Sequence, residues 1–187
     1  MSKYDHLHFE RLYEEEIDPW RFRDSDYEAN KYQKTIEALP PGRFSLCLEL
    51  GCSIGVLTRL LAERCERIIA IDTSEKAIRE AEKICAGLRV DFRQAHLPKG
   101  RLGQGMDLVV ASEVLYYLER DALSELAKRL SEAVKPSAVC IGVHWTGATD
   151  YPLGADEACE FFARQANLTS LERLDTANYR LDVWQFP

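Results

Sequence analysis

The sequence predicts an α/β protein, with a parallel sheet that is covered by helices on both faces. Short apolar runs of strand length alternate with amphipathic segments of about ten to fifteen residues. Such alternation is typical of β–α–β units, in which the strands run parallel and the crossovers are right-handed. The chain has 187 residues, of which 46% are hydrophobic, and this is enough for one domain with a sizeable core.

Residues 1–42 are expected to precede the sheet as an extension. The first 25 residues or so are polar and aromatic, and Pro19 disfavours helix at the residue before it. A helix is predicted from Ser25 or Asp26, because Ser25 is a capping residue and Glu28 follows three positions later. The run Pro40-Pro41-Gly42 ends this helix.

Residues 43–187 carry the alternating pattern and are expected to form the main body of a single globular domain. Strands are predicted at 45–50, 67–72, 88–93, 106–112 and 138–145, with two further alternating segments near 168–174 and 179–186. Helices are predicted at 55–65, 74–87, 119–134 and 155–166. Ser74 and Gly87 mark the two ends of the second of these helices, and Pro136 ends the third.

Composition narrows the range of partners and compartments. The net charge of −7 argues against a nucleic acid held through its phosphates, and is compatible with a cationic or neutral small molecule. No two of the six cysteines have the Cys-x-x-Cys spacing, so we expect reduced, buried thiols and no metal site. The N-terminus lacks the apolar segment of a signal peptide, and no apolar run approaches the ~20 residues of a membrane span. A cytoplasmic protein without membrane contact is expected.

The segment "LELGCSIG" at 48–55 is the candidate ligand-binding turn, because ligands of open α/β sheets bind beyond the carboxyl ends of the strands. A P-loop would need Lys and Ser or Thr after the last glycine, where Val56 and Leu57 stand. A dinucleotide turn would need glycine at Ser53 and at Val56. The pattern that remains is an acidic residue followed by small residues at alternate positions, here Glu49, Gly51, Ser53 and Gly55.

This pattern resembles motif I of the class I S-adenosylmethionine-dependent methyltransferases. From Asp18 onward the chain resembles more closely the NodS group, the nodulation-factor N-methyltransferases and their bacterial relatives. The segments that carry the resemblance are "DPW" at 18–20, "YEANKY" at 27–32, "LELGCSIGVLTRLLAERC" at 48–65, "SEVLYYL" at 112–118 and "HW" at 144–145.

The resemblance implies a Rossmann-like class I methyltransferase fold, with seven strands in the order 3-2-1-4-5-7-6 and the last strand antiparallel. It implies S-adenosyl-L-methionine as cofactor, S-adenosyl-L-homocysteine as product, and a small-molecule amine or amino sugar as acceptor. The extension would form a lid over the cofactor, and the protein would be a monomer or weak dimer. A catalytically silent cofactor-binding protein remains the alternative.

Several residues are candidates for binding this cofactor. Asp72 follows Gly51 by 21 residues at the end of a strand, where an acidic side chain can accept the ribose hydroxyls. Glu49 would orient the amino end of the cofactor or, alternatively, cap nearby backbone N–H groups. Lys31 would meet the cofactor carboxylate or remain a solvated charge on its helix. The full set is Trp20, Tyr27, Glu49, Gly51, Cys52, Ser53, Gly55, Asp72, Thr73, Gln94, Ala95, His96, Ser112 and Glu113.

Two parts of this set remain open. Gln94, Ala95 and His96 stand at the adenine side, where the family commonly has an acidic side chain, so the adenine contacts stay undecided. Trp20 would cover the cofactor, but it can equally serve as a core anchor for the extension.

Glu113, His144 and Tyr117 are the candidate catalytic residues. Methyl transfer to nitrogen needs the reacting atoms in line and an amine without its extra proton. Glu113 lies just past the fourth strand, and the intrinsic pKa of histidine suits His144 as a base. Structural alternatives are helix capping by Glu113, a hydrogen-bonded histidine at a strand end, and packing of Tyr116 and Tyr117 against the following helix.

Ser53 gives a direct test of the ligand-binding turn. We expect Ser53→Gly to leave cofactor binding largely intact, because glycine restores the family pattern. Ser53→Leu should abolish binding, because its side chain would fill the place of the cofactor. Calorimetric titration with S-adenosylhomocysteine measures both effects, and normal binding by the leucine variant would overturn this placement.

Overall fold

The computed structural model describes residue 4 and residues 6–187. Its helices are α1 (His6–Glu15), α2 (Asp26–Glu37), α3 (Val56–Leu61), α4 (Glu75–Ile84), α5 (Arg120–Ala133) and α6 (Ala155–Gln165), with a 3₁₀ turn at Leu115–Tyr117. Its strands are β1 (Cys47–Leu50), β2 (Ile68–Asp72), β3 (Val90–Gln94), β4 (Met106–Ser112), β5 (Val134–Trp145), β6 (Thr169–Asp175) and β7 (Tyr179–Gln185).

The seven strands form one sheet in the order β3-β2-β1-β4-β5-β7-β6, as expected. Strands β1 to β5 run parallel to one another, whereas β7 runs antiparallel to both of its neighbours, β5 and β6. The predicted α/β class and the mostly parallel sheet are therefore confirmed. The strand order reverses between β1 and β4, and in open sheets of this kind the carboxyl ends of the strands at such a reversal border a crevice.

Alternate residues of β1 pack into two separate apolar cores, one on each face of the sheet. Leu48 and Leu50 face a core that includes Leu126 of α5 and Phe162 of α6. Cys47 faces the other core, which includes Leu61 of α3. Burial on both faces explains why the central strands read as continuous apolar runs rather than as alternating ones.

Helix α1 is the element that the sequence did not predict. The helix is mostly polar in composition, but one short face of it is buried, and on that face Tyr13 packs with Ile54 and Ala77. Because packing against α4 rather than intrinsic propensity stabilises this helix, no strong local signal marked it. Strand β5 also begins four residues before the predicted start, because Val134 already pairs with Met106.

All six cysteines are free and buried, as expected from their spacing. Each thiol therefore contributes to packing rather than to a crosslink. Within the described part of the chain, no helix has both the length and the apolar character needed to cross a membrane.

Gly55 and Gly87 give a matched test of the turn that precedes α3. Both have left-handed backbones, with φ of +83° and +84°. A Cβ on Gly55 would lie 2.9 Å from Cβ of Ala81 in α4, whereas one on Gly87 would meet nothing within 4 Å. We expect Gly87→Ala to cost about 1 kcal/mol from backbone strain alone, and Gly55→Ala about 2–4 kcal/mol because overpacking adds to it. Urea unfolding measures both, and equal losses would contradict the packing argument.

Candidate functional site

The crevice between β1 and β4 gathers three carboxylates from three strand ends. Glu49 lies in β1, Asp72 ends β2 and Glu113 follows β4. In the sheet register, Leu50 is opposite Ile71 on one side and Ala111 on the other, so the three strands end close together. All three carboxylates were candidate site residues, and the parallel topology is what brings them to one edge.

The turn between β1 and α3 holds an unusual backbone. Gly51, Ser53 and Gly55 all have positive φ, at 74°, 49° and 83°. A Cβ on Gly51 would lie 3.2 Å from the side chain of Val114, and one on Gly55 would clash with Ala81. Packing therefore excludes a Cβ at Gly55, whereas Gly51 is favoured by its left-handed backbone and by close contact with Val114. Ser53 adopts the same left-handed conformation with a side chain, which is uncommon outside glycine.

Asp72 ties this turn to the end of β2. Its Oδ2 accepts a hydrogen bond from the backbone N–H of Ser53 at 2.8 Å, and its Oδ1 accepts one from Ser74 at 2.9 Å. Burial raises the pKa of Asp72, although these N–H groups oppose the rise. Each carboxylate oxygen retains a further lone pair, so the group can still accept two hydroxyl donors. Ser74 also caps α4 through its own side chain, so Asp72 is not the side-chain cap of that helix.

Glu49 is buried without a full set of partners. Its side chain is 1% exposed, and its Oε2 has no hydrogen-bond partner. The hydroxyl of Thr58 is also buried without a hydrogen-bond partner, and its proximity only partly opposes the effect of burial on the Glu49 pKa. Burial raises the pKa of Glu49 to about 8. The crevice therefore contains a carboxyl group that lacks a donor.

Helix α1 lies across the β1–α3 turn and contacts it through polar side chains. The Tyr13 hydroxyl is 2.5 Å from Oγ of Ser53. Ser74 donates a hydrogen bond to Glu10 at 2.6 Å, and Lys76 pairs with Glu14 at 2.8 Å. Sequence reasoning missed Tyr13 and Glu10. The one local signal was the hydroxyl at position 53, a polar group that needed a partner in a buried turn.

The residues predicted for the adenine side cluster around Thr73. Ala95 donates its backbone N–H to the carbonyl oxygen of Asp72 at 2.9 Å, and the Gln94 amide donates to the carbonyl oxygen of Thr73 at 3.2 Å. The ring of His96 contacts the Thr73 hydroxyl through Nδ1. The segment thus sits beside the turn, with polar side chains directed at the end of β2.

The remaining cofactor candidates divide between the core and the surface. Trp20 stacks on Phe22, with ring centroids 5.4 Å apart, and meets Tyr13 edge-on at 5.7 Å. It packs against the small apolar cluster of Tyr13, Ile54 and Ala77, which joins the extension to the main body. Cys52 is buried beside the turn, and Ser112 ends β4 opposite Val143. Tyr27 remains 37% exposed.

Glu113 is held by three donors from three parts of the chain. Its Oε1 accepts a hydrogen bond from the Lys31 ammonium at 2.6 Å. Its Oε2 accepts the backbone N–H of Trp145 at 2.9 Å and the hydroxyl of Tyr116. Burial alone would raise the pKa of Glu113, but Lys31 and these hydrogen bonds outweigh it and keep the pKa below the ordinary value. The side chain is 18% exposed, so an ionised carboxylate borders the crevice.

His144 is fully buried, and both of its ring nitrogens have partners. Its Nε2 accepts the backbone N–H of Leu115 at 3.1 Å, and its Nδ1 lies 3.3 Å from Sγ of Cys159. Burial lowers the pKa of His144 to about 4, so the ring is neutral near pH 7. In this arrangement the imidazole supports the turn after β4 and leaves no nitrogen open to an acceptor.

Tyr117 belongs to an aromatic patch beside Glu113, formed by Tyr4, Phe9, Tyr116, Tyr117 and Tyr151. Tyr117 and Tyr151 have ring centroids 4.6 Å apart, and the Tyr117 hydroxyl donates to that of Tyr151 at 3.4 Å. Phe9 of α1 packs edge-on against Tyr117 at 4.9 Å. Burial raises the pKa of Tyr117, so the phenol stays protonated at neutral pH. Aromatic residues from the start of the extension therefore reach the region beside Glu113.

Comparison with known families identifies one match over most of the chain. The model of the family described as nodulation protein S (NodS) matches residues 7–140. Nodulation protein S of Sinorhizobium fredii is 32% identical over 121 residues, which are 64% of this chain and 55% of that protein. Phosphoethanolamine N-methyltransferase 3 of Arabidopsis thaliana is 29% identical over 59% of this chain and 24% of its own length. The chain spans about half the length of the curated nodulation proteins it matches.

Two solved structures share the whole architecture. The N-methyltransferase NodS of Bradyrhizobium japonicum, solved with S-adenosyl-L-homocysteine, superposes with a TM-score of 0.84 at 24% identity, over 95% of this chain and 98% of that one. This likeness establishes the fold. A candidate methyltransferase of Pseudomonas syringae is 32% identical with a TM-score of 0.75, over 85% of this chain and 98% of its own.

The unpartnered Glu49 predicts an unusual dependence of stability on pH. An unfolded glutamate ionises near pH 4.5, whereas folded Glu49 keeps its proton until about pH 8. Between these values the native state binds more protons, so burial of Glu49 costs more stability as the pH rises. We expect Glu49→Gln to stabilise the protein at pH 8 by on the order of 2 kcal/mol, with little gain at pH 4.5.

Urea unfolding at several pH values measures this difference. The control is Glu132→Gln, which removes an exposed carboxylate from α5 and should leave the pH dependence unchanged. If Glu49→Gln and the original chain show parallel stability profiles from pH 4.5 to 8, the buried carboxyl group does not titrate as described.

Proposed function

Because the chain belongs to the nodulation protein S (NodS) family, we propose that it is an S-adenosylmethionine-dependent methyltransferase acting on an amine nitrogen. The acceptor is a small molecule, with amino sugars as the first candidates. The observation that carries the proposal is the edge of the sheet where Asp72 and Glu113 flank the β1–α3 turn. The Asp72 carboxylate suits the ribose hydroxyls of the cofactor, and the Glu113 carboxylate suits the acceptor amine.

The residues of the crevice fit this cofactor. Asp72 has lone pairs left for two ribose hydroxyls, and the turn at 51–55 offers backbone close to a ligand without any demand for phosphate. Glu49 lacks a donor, which suits the cationic amino end of the cofactor. The segment 94–96 borders the same strand end and would lie along the adenine. When bound, S-adenosylmethionine supplies an electrophilic methyl group on a positively charged sulfur.

The acceptor nitrogen would approach from the side of Glu113 and the aromatic patch. The neutral amine would form the new N–C bond through its lone pair, while the C–S bond breaks with its electron pair staying on sulfur. The positive charge would thereby pass from sulfur to nitrogen, and the methylated ammonium would then release a proton to solvent. Glu113 remains ionised, so it holds the amine and stabilises the charge that develops on it. Tyr117 and Tyr151 would form the wall of the acceptor site, and His144 is left with a supporting role.

The extension 1–42 is proposed as a lid on the main body at 43–187. Its α1 contacts the cofactor turn through Tyr13 and reaches the aromatic patch through Phe9. One helix therefore lies over both halves of the crevice. Exclusion of water by such a cover favours in-line transfer between two bound molecules.

Cofactor binding is tested by calorimetric titration with S-adenosylhomocysteine and, separately, with NAD. We expect S-adenosylhomocysteine to bind and NAD to fail, because the turn lacks the glycines that pyrophosphate requires. Asp72→Ala should weaken binding about tenfold or more through loss of charged hydrogen bonds to the ribose. Asp91→Asn, an exposed carboxylate on the neighbouring strand β3, should bind normally. Binding of NAD alone would overturn the proposal.

Methyl transfer is tested with labelled S-adenosylmethionine and a panel of chitosan oligomers, glucosamine and phosphoethanolamine. We expect label on nitrogen for at least one amine, and a loss of about a hundredfold in kcat/KM for Glu113→Gln. Transfer that proceeds equally well with Glu113→Gln would remove Glu113 from the reaction. Binding of S-adenosylhomocysteine without transfer to any amine would favour a catalytically silent cofactor-binding protein.

A further inference from the structure

A buried lysine from α2 joins the extension to the end of β4. Lys31 is only 2% exposed, and its ammonium lies 2.6 Å from Oε1 of Glu113 and 2.9 Å from the carboxylate of Glu28. The ring of Tyr27 covers the ammonium at 5.2 Å. The ammonium thus has two carboxylates and one aromatic face in place of water.

We infer that Lys31 is a positioning residue for methyl transfer, which holds the Glu113 carboxylate ionised and aimed at the acceptor nitrogen. This inference rests on the proposed function, in which Glu113 contacts the acceptor amine. Lys31 itself touches neither substrate nor cofactor and acts through Glu113.

The geometry around Glu113 gives Lys31 a role that the other donors do not have. Trp145 and Tyr116 both bind Oε2, whereas Lys31 binds Oε1. Loss of Lys31 would therefore leave Oε2 in place but free the carboxylate to rotate about it. The backbone of Glu113 is already constrained, with φ of +55° and its N–H donated to the carbonyl oxygen of Val143 at 2.8 Å. The direction of the side chain thus depends on the Lys31 contact.

The charges around Glu113 give a second reason to assign a positioning role to Lys31. The titratable groups that face Glu113 come from α2, from the 3₁₀ turn and from β5; they are Tyr27, Glu28, Lys31, Tyr32, Tyr116, Tyr117 and His144. Of these, Lys31 is the group that carries a positive charge at neutral pH, because burial keeps His144 neutral. Burial by itself would raise the pKa of Glu113, and the Lys31 ammonium is the largest of the contributions that lower it, with the hydroxyl of Tyr116 adding to the effect. Loss of Lys31 should therefore raise the pKa of Glu113.

Glu28 completes the arrangement from the other side. It is 7% exposed, and burial raises its pKa. Placed three residues before Lys31 on the same helix, it holds the ammonium from the extension side, while Glu113 holds it from the sheet. The Lys34–Glu37 pair on the same helix has half-exposed side chains instead, and it forms an ordinary surface contact.

The test is the pH dependence of kcat/KM for methyl transfer at saturating S-adenosylmethionine. Lys31→Met removes the positive charge but keeps an unbranched side chain, so the pKa of Glu113 should rise. The acid limb of the pH profile, where kcat/KM falls as Glu113 takes up a proton, should then move to higher pH. We expect the ratio of kcat/KM at pH 5 to that at pH 8 to fall about tenfold further than in the unmodified protein. Titration of the acceptor amine is the same for both proteins and cancels from the comparison.

Two controls separate positioning from structural support. Lys34→Met removes an exposed lysine of the same helix and should leave the acid limb in place. Lys31→Arg restores the positive charge and should return the limb towards its original pH. A purely structural role would lower kcat/KM by the same factor at every pH and would be repaired equally by neutral residues.

Removal of Lys31 alone leaves two buried carboxylates unpaired, which can prevent folding. The double change Lys31→Met with Glu28→Gln removes one of these charges and leaves Glu113 in the same surroundings. If either folded variant shows an acid limb identical to that of the unmodified protein, the inference is wrong, although the proposed function stands. If the unmodified protein transfers no methyl group to any amine, the proposed function fails, and the inference fails with it.

Discussion

Burial of carboxylates at one edge of the sheet is the constraint around which the functional part of this molecule is organised. An ionised group loses the free energy of hydration when it is buried, so each buried carboxylate requires hydrogen bonds, a counter-ion or a proton. Asp72 accepts hydrogen bonds from backbone N–H groups, and Glu113 pairs with the Lys31 ammonium. Glu49 has no counter-ion and retains its proton up to a pH of about 8. Three solutions to the same physical problem thus lie within one crevice.

These solutions connect the extension to the sheet. Helix α2 supplies the counter-ion of Glu113, and α1 supplies the hydroxyl that meets Ser53 in the turn held by Asp72. The two helices are therefore attached to opposite sides of the crevice by polar contacts that are partly or fully buried. The extension therefore contacts the main body on both sides of the crevice, at Ser53 through α1 and at Glu113 through α2.

The turn after β1 shows how packing and ligand recognition share the same residues. Gly51 and Gly55 have left-handed backbones; a Cβ would be in tight contact with Val114 at Gly51 and would clash with Ala81 at Gly55. The pattern of small residues that resembles a cofactor motif is therefore also the pattern that lets α4 and the end of β4 approach the turn. Ser53 occupies the place of the middle glycine, and its hydroxyl is used by Tyr13 rather than left exposed.

The sequence by itself determined the α/β class, the position of nearly every strand and helix, and the candidate ligand-binding turn at 51–55. These features depend on local periodicity, capping residues and glycine, all of which are visible within about fifteen neighbouring residues. The exclusion of a pyrophosphate turn and of a P-loop also followed from residues 51–57, because each of these demands particular residues there, whereas S-adenosylmethionine was implied by the family resemblance.

Only the tertiary structure decided the partners of the charged and polar groups. Lys31 reads as a surface charge on an amphipathic helix, yet it is buried against Glu113, 82 positions away. Tyr13 meets Ser53 across 40 positions, and His144 turns inward to the backbone of Leu115. Such contacts depend on which strand ends meet at the edge of the sheet, and long polar side chains leave no periodic signal of where they will find a partner.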